Sequence, residues 1–545
     1  MKTSLSLLFG ALLLAPAALA QPEGGPLAPT LDGLGTHHRA VTTSSPDAQR
    51  FFDQGLILAY AFNHAEAARA FREAQRLDPA CAMCAWGEAL VLGPHVNAPM
   101  MPADVPTAFA ALGRAQALMG AASPVEQALI AALTARYAAE PMADRTPLDR
   151  AYADAMRGVA AGFPDDADVQ TLFAEALMDT MPWDYWNEDG SPKPETQEVL
   201  DALERAMAIQ DDHPGALHLW IHAVEKQRPE LGVEAADRLG PLVPNAGHLV
   251  HMPGHIYLRV GRYHDAVQAN VLAAAADDAY LAQCHAQGLY PLGYVPHNHD
   301  FLWMAATMAG MREAAFESSR HLAHMADPAF FHEPGGFGGQ VQHASVSYLF
   351  PFIRFGAWDE ILAVPRPDLP YPTGVWHFAR GLALARTDQA DAAQDEYDAL
   401  VALAADPALD TVTIGGHNSH RSILLIAQHY LGGELAAARG DYDTAVSELE
   451  EAVRLESQQR YIEPPSWPLP TRHALGAVLL EAGRAADAEQ VYRDDLAAWP
   501  ANGWALAGLR EALRQQDRAA EADALAAEFD AAWAHADTPI TTSRF

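Results

Sequence analysis

The sequence predicts an all-α protein built from short helical hairpins stacked one after another, and three observations carry that prediction. Phe51, Gly55 and Leu58 fall at helical spacings, as do Ala67, Phe71, Ala74 and Pro79, and Asn63-His64 separates the two runs as a turn. The same pairing of small and bulky positions returns along the chain with a period of ~34 residues. A chain of 545 residues also exceeds what one compact core supports, so it must divide or repeat.

Taken in order, residues 1–20 read as a cleavable signal peptide. Lys2 supplies the charge, Leu5 to Leu14 the apolar core, and Ala18-Leu19-Ala20 the small residues before a cut at Gln21. Residues 21–46, rich in Pro, Gly, Ser and Thr, are expected as an extended leader. Hairpins then fill three regions: N-terminal repeats over 47–190, a histidine-rich central set over 191–365, and C-terminal repeats over 366–538. Clear copies surround Gly261-Arg262-Tyr263, Gly440-Asp441-Tyr442 and Gly483-Arg484, the last with Gly476, Ala488, Tyr492 and Pro500. These copies resemble the tetratricopeptide repeat, and the resemblance implies a right-handed α-solenoid with a concave inner surface. Two long irregular loops, Thr180 to Pro194 and Pro328 to Gln340, are expected to interrupt it.

Composition narrows the partners. Acidic residues outnumber basic ones by 70 to 35, and the three lysines are Lys2, Lys193 and Lys226. No basic stripe exists to track a phosphate backbone, so nucleic acid is not expected as a partner. No later run is long and apolar enough to span a membrane after signal cleavage, and the mature chain is expected in the periplasm or secreted.

The mature chain as a whole resembles a group of exported bacterial tetratricopeptide proteins. The segments that carry this are Phe62-Asn63-His64-Ala65-Glu66-Ala67, Leu77-Asp78-Pro79-Ala80-Cys81-Ala82-Met83-Cys84-Ala85-Trp86-Gly87, and Gly247-His248-Leu249-Val250-His251-Met252-Pro253-Gly254-His255. The resemblance implies the fold and leaves the activity open.

Histidine spacing is the most specific chemical signal. His218 and His222 stand four apart on one helix face, with Glu225 three further on. His248, His251 and His255 repeat that spacing one hairpin later, and His297 with Asp300 takes the matching places in the hairpin after, with His299 alongside. Imidazoles and carboxylates on adjacent helices can converge on one transition-metal ion, with zinc, copper or iron suited to such donors. The first expectation is therefore an exported scaffold binding a transition metal through His218, His222, Glu225, His248, His251, His255, His297, His299 and Asp300. A metal-free groove for a peptide or protein partner is the alternative. A metal-dependent enzyme built on His218, His222 and Glu225 is the second, with no readable substrate.

Cys81 and Cys84 lie just after Pro79, at an expected helix start. A structural disulfide, a soft copper site and a dithiol redox pair all fit that position, the disulfide taken first. Cys284 is then the odd thiol, expected free and buried. No glycine-rich phosphate loop, nucleophile elbow or zinc-protease run occurs.

Overall fold

The computed structural model describes residues 25–284 and 288–545, and the signal-peptide reading of residues 1–20 lies outside them. The chain is an all-α, tetratricopeptide-like solenoid of helical hairpins. Among the described residues the strands are Thr413–Ile414 and Asn418–Ser419, a two-stranded antiparallel ribbon with Thr413 opposite Ser419. No helix among them is long and apolar enough to cross a membrane. They group into two compact units: residues 25–256, 269–284 and 288–298 form one, and Tyr257–Gln268 with His299–Phe545 the other.

Each unit stacks antiparallel pairs. In the first, helix Pro46–Tyr60 packs on His64–Leu77 and also on Ala82–Val91, the helix that opens the next hairpin. In the second, Thr471–Glu481 packs on Ala485–Ala498 and again on Gly503–Gln515. The small residues of the repeat explain how the helices come so close. Phe71, wholly buried, lies between Gly55 and Gly87, where an added Cβ would meet its ring at 2.8 and 2.5 Å. Tyr492 occupies the same frame between Gly476 and Gly508, where the distances would be 2.4 and 2.1 Å.

Gly508→Ala should therefore destabilise the protein by about 1–3 kcal/mol, the usual effect of overpacking, seen as a lower denaturant midpoint. Gly113→Ala is the control. Its Cβ would meet nothing within 4 Å, so it should be neutral or stabilising by up to ~1 kcal/mol. A Gly508→Ala protein as stable as the parent would refute the close packing.

The leader, from residue 25, runs without helix but is fastened to its unit. Leu27 N donates to Glu73 Oε2 and Leu31 N to Gln54 Oε1, both at 2.9 Å, and the Gly33 carbonyl accepts from Asn245 N at 3.0 Å. The loop after Met178 is irregular and partly folded inward: Tyr185 and Trp186 are buried, and Trp186 Nε1 donates to the Ala223 carbonyl at 2.8 Å. The second loop ends sooner than its glycines suggest, because helix Phe337–Ala344 begins inside it. There glycine serves close packing, since a Cβ on Gly339 would lie 2.2 Å from the Thr413 carbonyl oxygen.

Candidate metal centre

Three local sequence features set the site. His213 caps helix Pro214–Val224 by accepting from Ala216 N at 3.1 Å, and Pro214 fits the first turn, where its missing N–H costs nothing. His218 and His222 then face the same way, four residues apart. Gly215 lets this helix approach Tyr60, whose ring an added Cβ would meet at 2.5 Å. One hairpin later, Gly247–His251 and Pro253–Arg259 form a helix interrupted at Met252, where proline removes a donor. His248 and His251 lie before the break and His255 after it. His297 comes from helix Val295–Met308.

Two clusters of three imidazoles result. His218, His222 and His248 offer one ring nitrogen each, all within 4.8 Å of one another, and His251, His255 and His297 do the same. Except for His297, which is partly buried, these imidazoles are buried instead of lying open on a groove wall.

In the first cluster the ring orientations are fixed from behind. His218 Nδ1 donates to the Tyr60 carbonyl at 2.7 Å, and His222 Nδ1 donates to Glu225 Oε1 at 3.2 Å. Both partners only accept, so each Nδ1 carries the proton and each Nε2 keeps a lone pair. Those Nε2 atoms are buried without a hydrogen-bond partner, and so are both ring nitrogens of His248. Leaving one such nitrogen unsatisfied costs about 1–3 kcal/mol, and here three imidazoles are left so together.

The electrostatics agree. Burial, then neighbouring imidazoles, holds His218 and His248 well below the ordinary histidine value; burial outweighs the pull of Glu225 to lower His222 as well. Burial alone would raise Glu225, yet His255 and His222 hold its carboxyl at about 2. Glu225 is thus a fully buried carboxylate whose hydrogen-bond partners are imidazoles. Its second oxygen accepts from His255 Nδ1 at 2.5 Å. It stands behind the ring nitrogens, where the sequence reading had placed it among the ligands.

Aromatic rings close over the first cluster. Phe62 lies with its centroid 4.5 Å from His218, 5.5 Å from His248 and 6.0 Å from His222, and Trp183 meets His222 edge-on at 5.2 Å. Both take positive φ, 55° and 62°, a conformation that costs a bulky residue roughly 1–3 kcal/mol. Phe62 was not foreseen as part of the site, and Trp183 was expected only within the irregular loop Thr180 to Pro194. Tyr294 packs on His248 at 4.5 Å, and His95 stacks on Phe62 at 4.5 Å. His64, 4.4 Å from His95, was also missed, and burial lowers it to about 4.

The remaining expected ligands lie elsewhere. His299 Nδ1 meets Ser318 Oγ at 3.3 Å and its ring lies 4.4 Å from His321, while Asp300 Oδ1 accepts from Trp303 Nε1 at 2.8 Å. His299, two beyond His297, is turned ~200° around the helix, while Asp300, three beyond, stays near the same face but is engaged by Trp303 Nε1 instead. Cys81 and Cys84 are joined by a disulfide, and Cys284 is free and buried.

A third grouping, His37, Asp168 and His213, has another purpose. Asp168 is already filled by Arg39 Nη1 at 3.1 Å, Tyr60 Oη at 2.6 Å, His37 Nε2 at 3.0 Å and His213 Nε2 at 3.1 Å. The guanidinium neutralises the carboxylate that an ion would need. This hub fixes Tyr60, whose carbonyl in turn orients His218.

Comparison with known proteins adds names and no function. No known family matches the sequence, and no curated protein does. Among solved structures, human IFIT1 in its dimer with m7Gppp-AAAA aligns over 91% of this chain and 92% of its own at 11% identity, with a TM-score of 0.29. Cut9 with Hcn1 from the APC/C aligns over 86% and 76% at 14% identity and 0.30, and the P58(IPK) TPR domain over 87% and 99% at 11% and 0.21. At such scores the architecture rests on the hairpins described above.

Proposed function

We propose that this chain is an exported tetratricopeptide-type scaffold that binds a divalent transition-metal ion on His218, His222 and His248. The carrying observation is the convergence of buried ring nitrogens that have no hydrogen-bond partner, with Tyr60 and Glu225 orienting two of the rings from behind. That is the arrangement by which outer carboxylates and carbonyls orient metal-binding histidines. A cation would also balance the buried Glu225 carboxylate.

The donors fit. A tetrahedral ion with bonds of ~2.0–2.1 Å wants its nitrogens about 3.4 Å apart, so ring nitrogens now within 4.8 Å need a closure of at most about 1.4 Å. Three nitrogen donors suit zinc, copper or iron and leave a position for water or another small molecule. The disulfide between Cys81 and Cys84 supports an oxidising compartment such as the periplasm. Phe62 and Trp183 cover the imidazoles, which gives a peptide little to touch at this point and favours the metal over a peptide groove.

Elemental analysis of protein purified without an affinity tag tests the reading. At least one equivalent of zinc, copper or iron per chain is expected in the parent, and about one equivalent less in His218→Ala/His222→Ala. Parent protein that holds no metal, and takes up none when zinc or copper is supplied, would overturn it and leave a partner-binding scaffold as the better account.

A further inference from the structure

The second cluster raises its own question. His255 Nδ1 faces a Glu225 carboxylate oxygen at 2.5 Å, and His251 Nδ1 faces Asn270 Oδ1 at 2.6 Å. Both oxygens accept, so both Nδ1 atoms carry protons. The two Nε2 atoms then face each other at 2.9 Å with a lone pair on each. Two lone pairs at that distance repel, and a cation shared with a third donor relieves them. His297 supplies that donor, its ring centroid 4.8 Å from His251 and 5.7 Å from His255.

The same sequence device has been used twice. Each cluster takes two histidines four residues apart on one helical run and a third from the first helix of the next hairpin: His218 and His222 with His248, then His251 and His255 with His297. The clusters are neighbours, with ring centroids 5.7 Å apart for both His248 and His251 and for His222 and His255. Glu225 connects them, one oxygen on His222 Nδ1 and the other on His255 Nδ1. A single carboxylate therefore orients one ligand in each cluster.

We propose that His251, His255 and His297 hold a second transition-metal ion, making with the first cluster a two-metal centre joined through Glu225. This rests on the first site being a metal site. A pair of ions on nitrogen donors fits a small bridging ligand such as hydroxide, and the shared carboxylate supplies negative charge behind both ions. Were the Asn270 amide turned round, His251 would donate Nε2–H to His255 and no second ion would be called for. Titration separates these cases.

Full-length apoprotein is titrated with Cu(II) and separately with Zn(II), and bound metal per chain is counted after gel filtration. Two equivalents are expected in the parent, one in His218→Gln/His222→Gln and one in His251→Gln/His297→Gln, with helical circular dichroism unchanged. In the parent loaded with two Cu(II), the integrated paramagnetic signal should fall to less than half of two spins, because adjacent ions couple. One equivalent in the parent, lost in the His218/His222 variant, would overturn the second site and leave the first intact. One equivalent lost only in the His251/His297 variant would overturn both the pair and the proposed first site, and no binding would do the same. Should a variant fail to fold, the parent's count and spin integral decide alone: two equivalents with a full two-spin signal would overturn the joined centre.

Discussion

Removing the proposed ion with a chelator should lower the stability of the folded protein by about 4 kcal/mol when that ion had been present at ~1,000 times its Kd. Acid should abolish the same increment, and the sign follows from burial. His218 and His248 are held well below the ordinary histidine value of 6.5 and His222 below it, so the folded protein keeps them neutral while the unfolded chain protonates them. Such groups contribute stability that is fully present above pH 6.5 and is lost as pH falls toward their folded values. Each withdraws up to ~1.4 kcal/mol per pH unit, and protonated imidazole cannot ligate. His343, held at about 3 by burial and His420, and His420 itself at about 4, lie outside the site. They should give even the chelated protein a residual acid slope. Denaturant midpoints at pH 7.5 and pH 5.0 check this: a large chelator effect at the higher pH should be nearly gone at the lower. Equal effects at both, or none at pH 7.5, would count against the centre.

Asp168→Ala should cost about 3–5 kcal/mol, the usual loss when one partner of a buried ion pair is removed. The carboxylate accepts from Arg39, Tyr60, His37 and His213, and its removal strands buried donors on the leader and on two helices. Asp168→Asn keeps the volume and one acceptor, so it should cost less than alanine while still leaving the Arg39 charge short of a partner. Chemical unfolding of the three proteins reads the ranking directly. A loss under ~1 kcal/mol for alanine would mean that the hub is ornamental to the fold.

The fold was legible because its causes are local. Glycine opposite an aromatic, helix-period apolar runs and turn glycines repeat in the sequence, and each acts over one hairpin. The histidine clusters were legible for the same reason: a four-residue spacing that recurs one repeat later places rings on neighbouring helices. What the spacing could not tell is which nitrogen faces which partner. Glu225 was read as a ligand because it lies near His222 on the helix, yet its oxygens face the Nδ1 atoms of His222 and His255. His299 was included as a neighbour in sequence and Asp300 for its repeat position, yet their side chains meet Ser318 and Trp303. Asp168 drew no notice, since its partners His37, Arg39 and His213 come from distant segments. The positive φ of Phe62 and Trp183 has no sequence signature, because neither residue favours it.

The fastened leader has a bearing on how the first unit is made. His37 meets Asp168 across 131 residues of chain, and the Asp32 carbonyl accepts from Asn245 Nδ2 across 213. The leader, synthesised before its partners, therefore waits for residues that emerge much later, and its ordering closes very large loops. Contacts so distant in sequence slow folding in an architecture whose other contacts are mostly between neighbouring hairpins. The helices should form and pair early, with the leader settling last, after residue 245 is available.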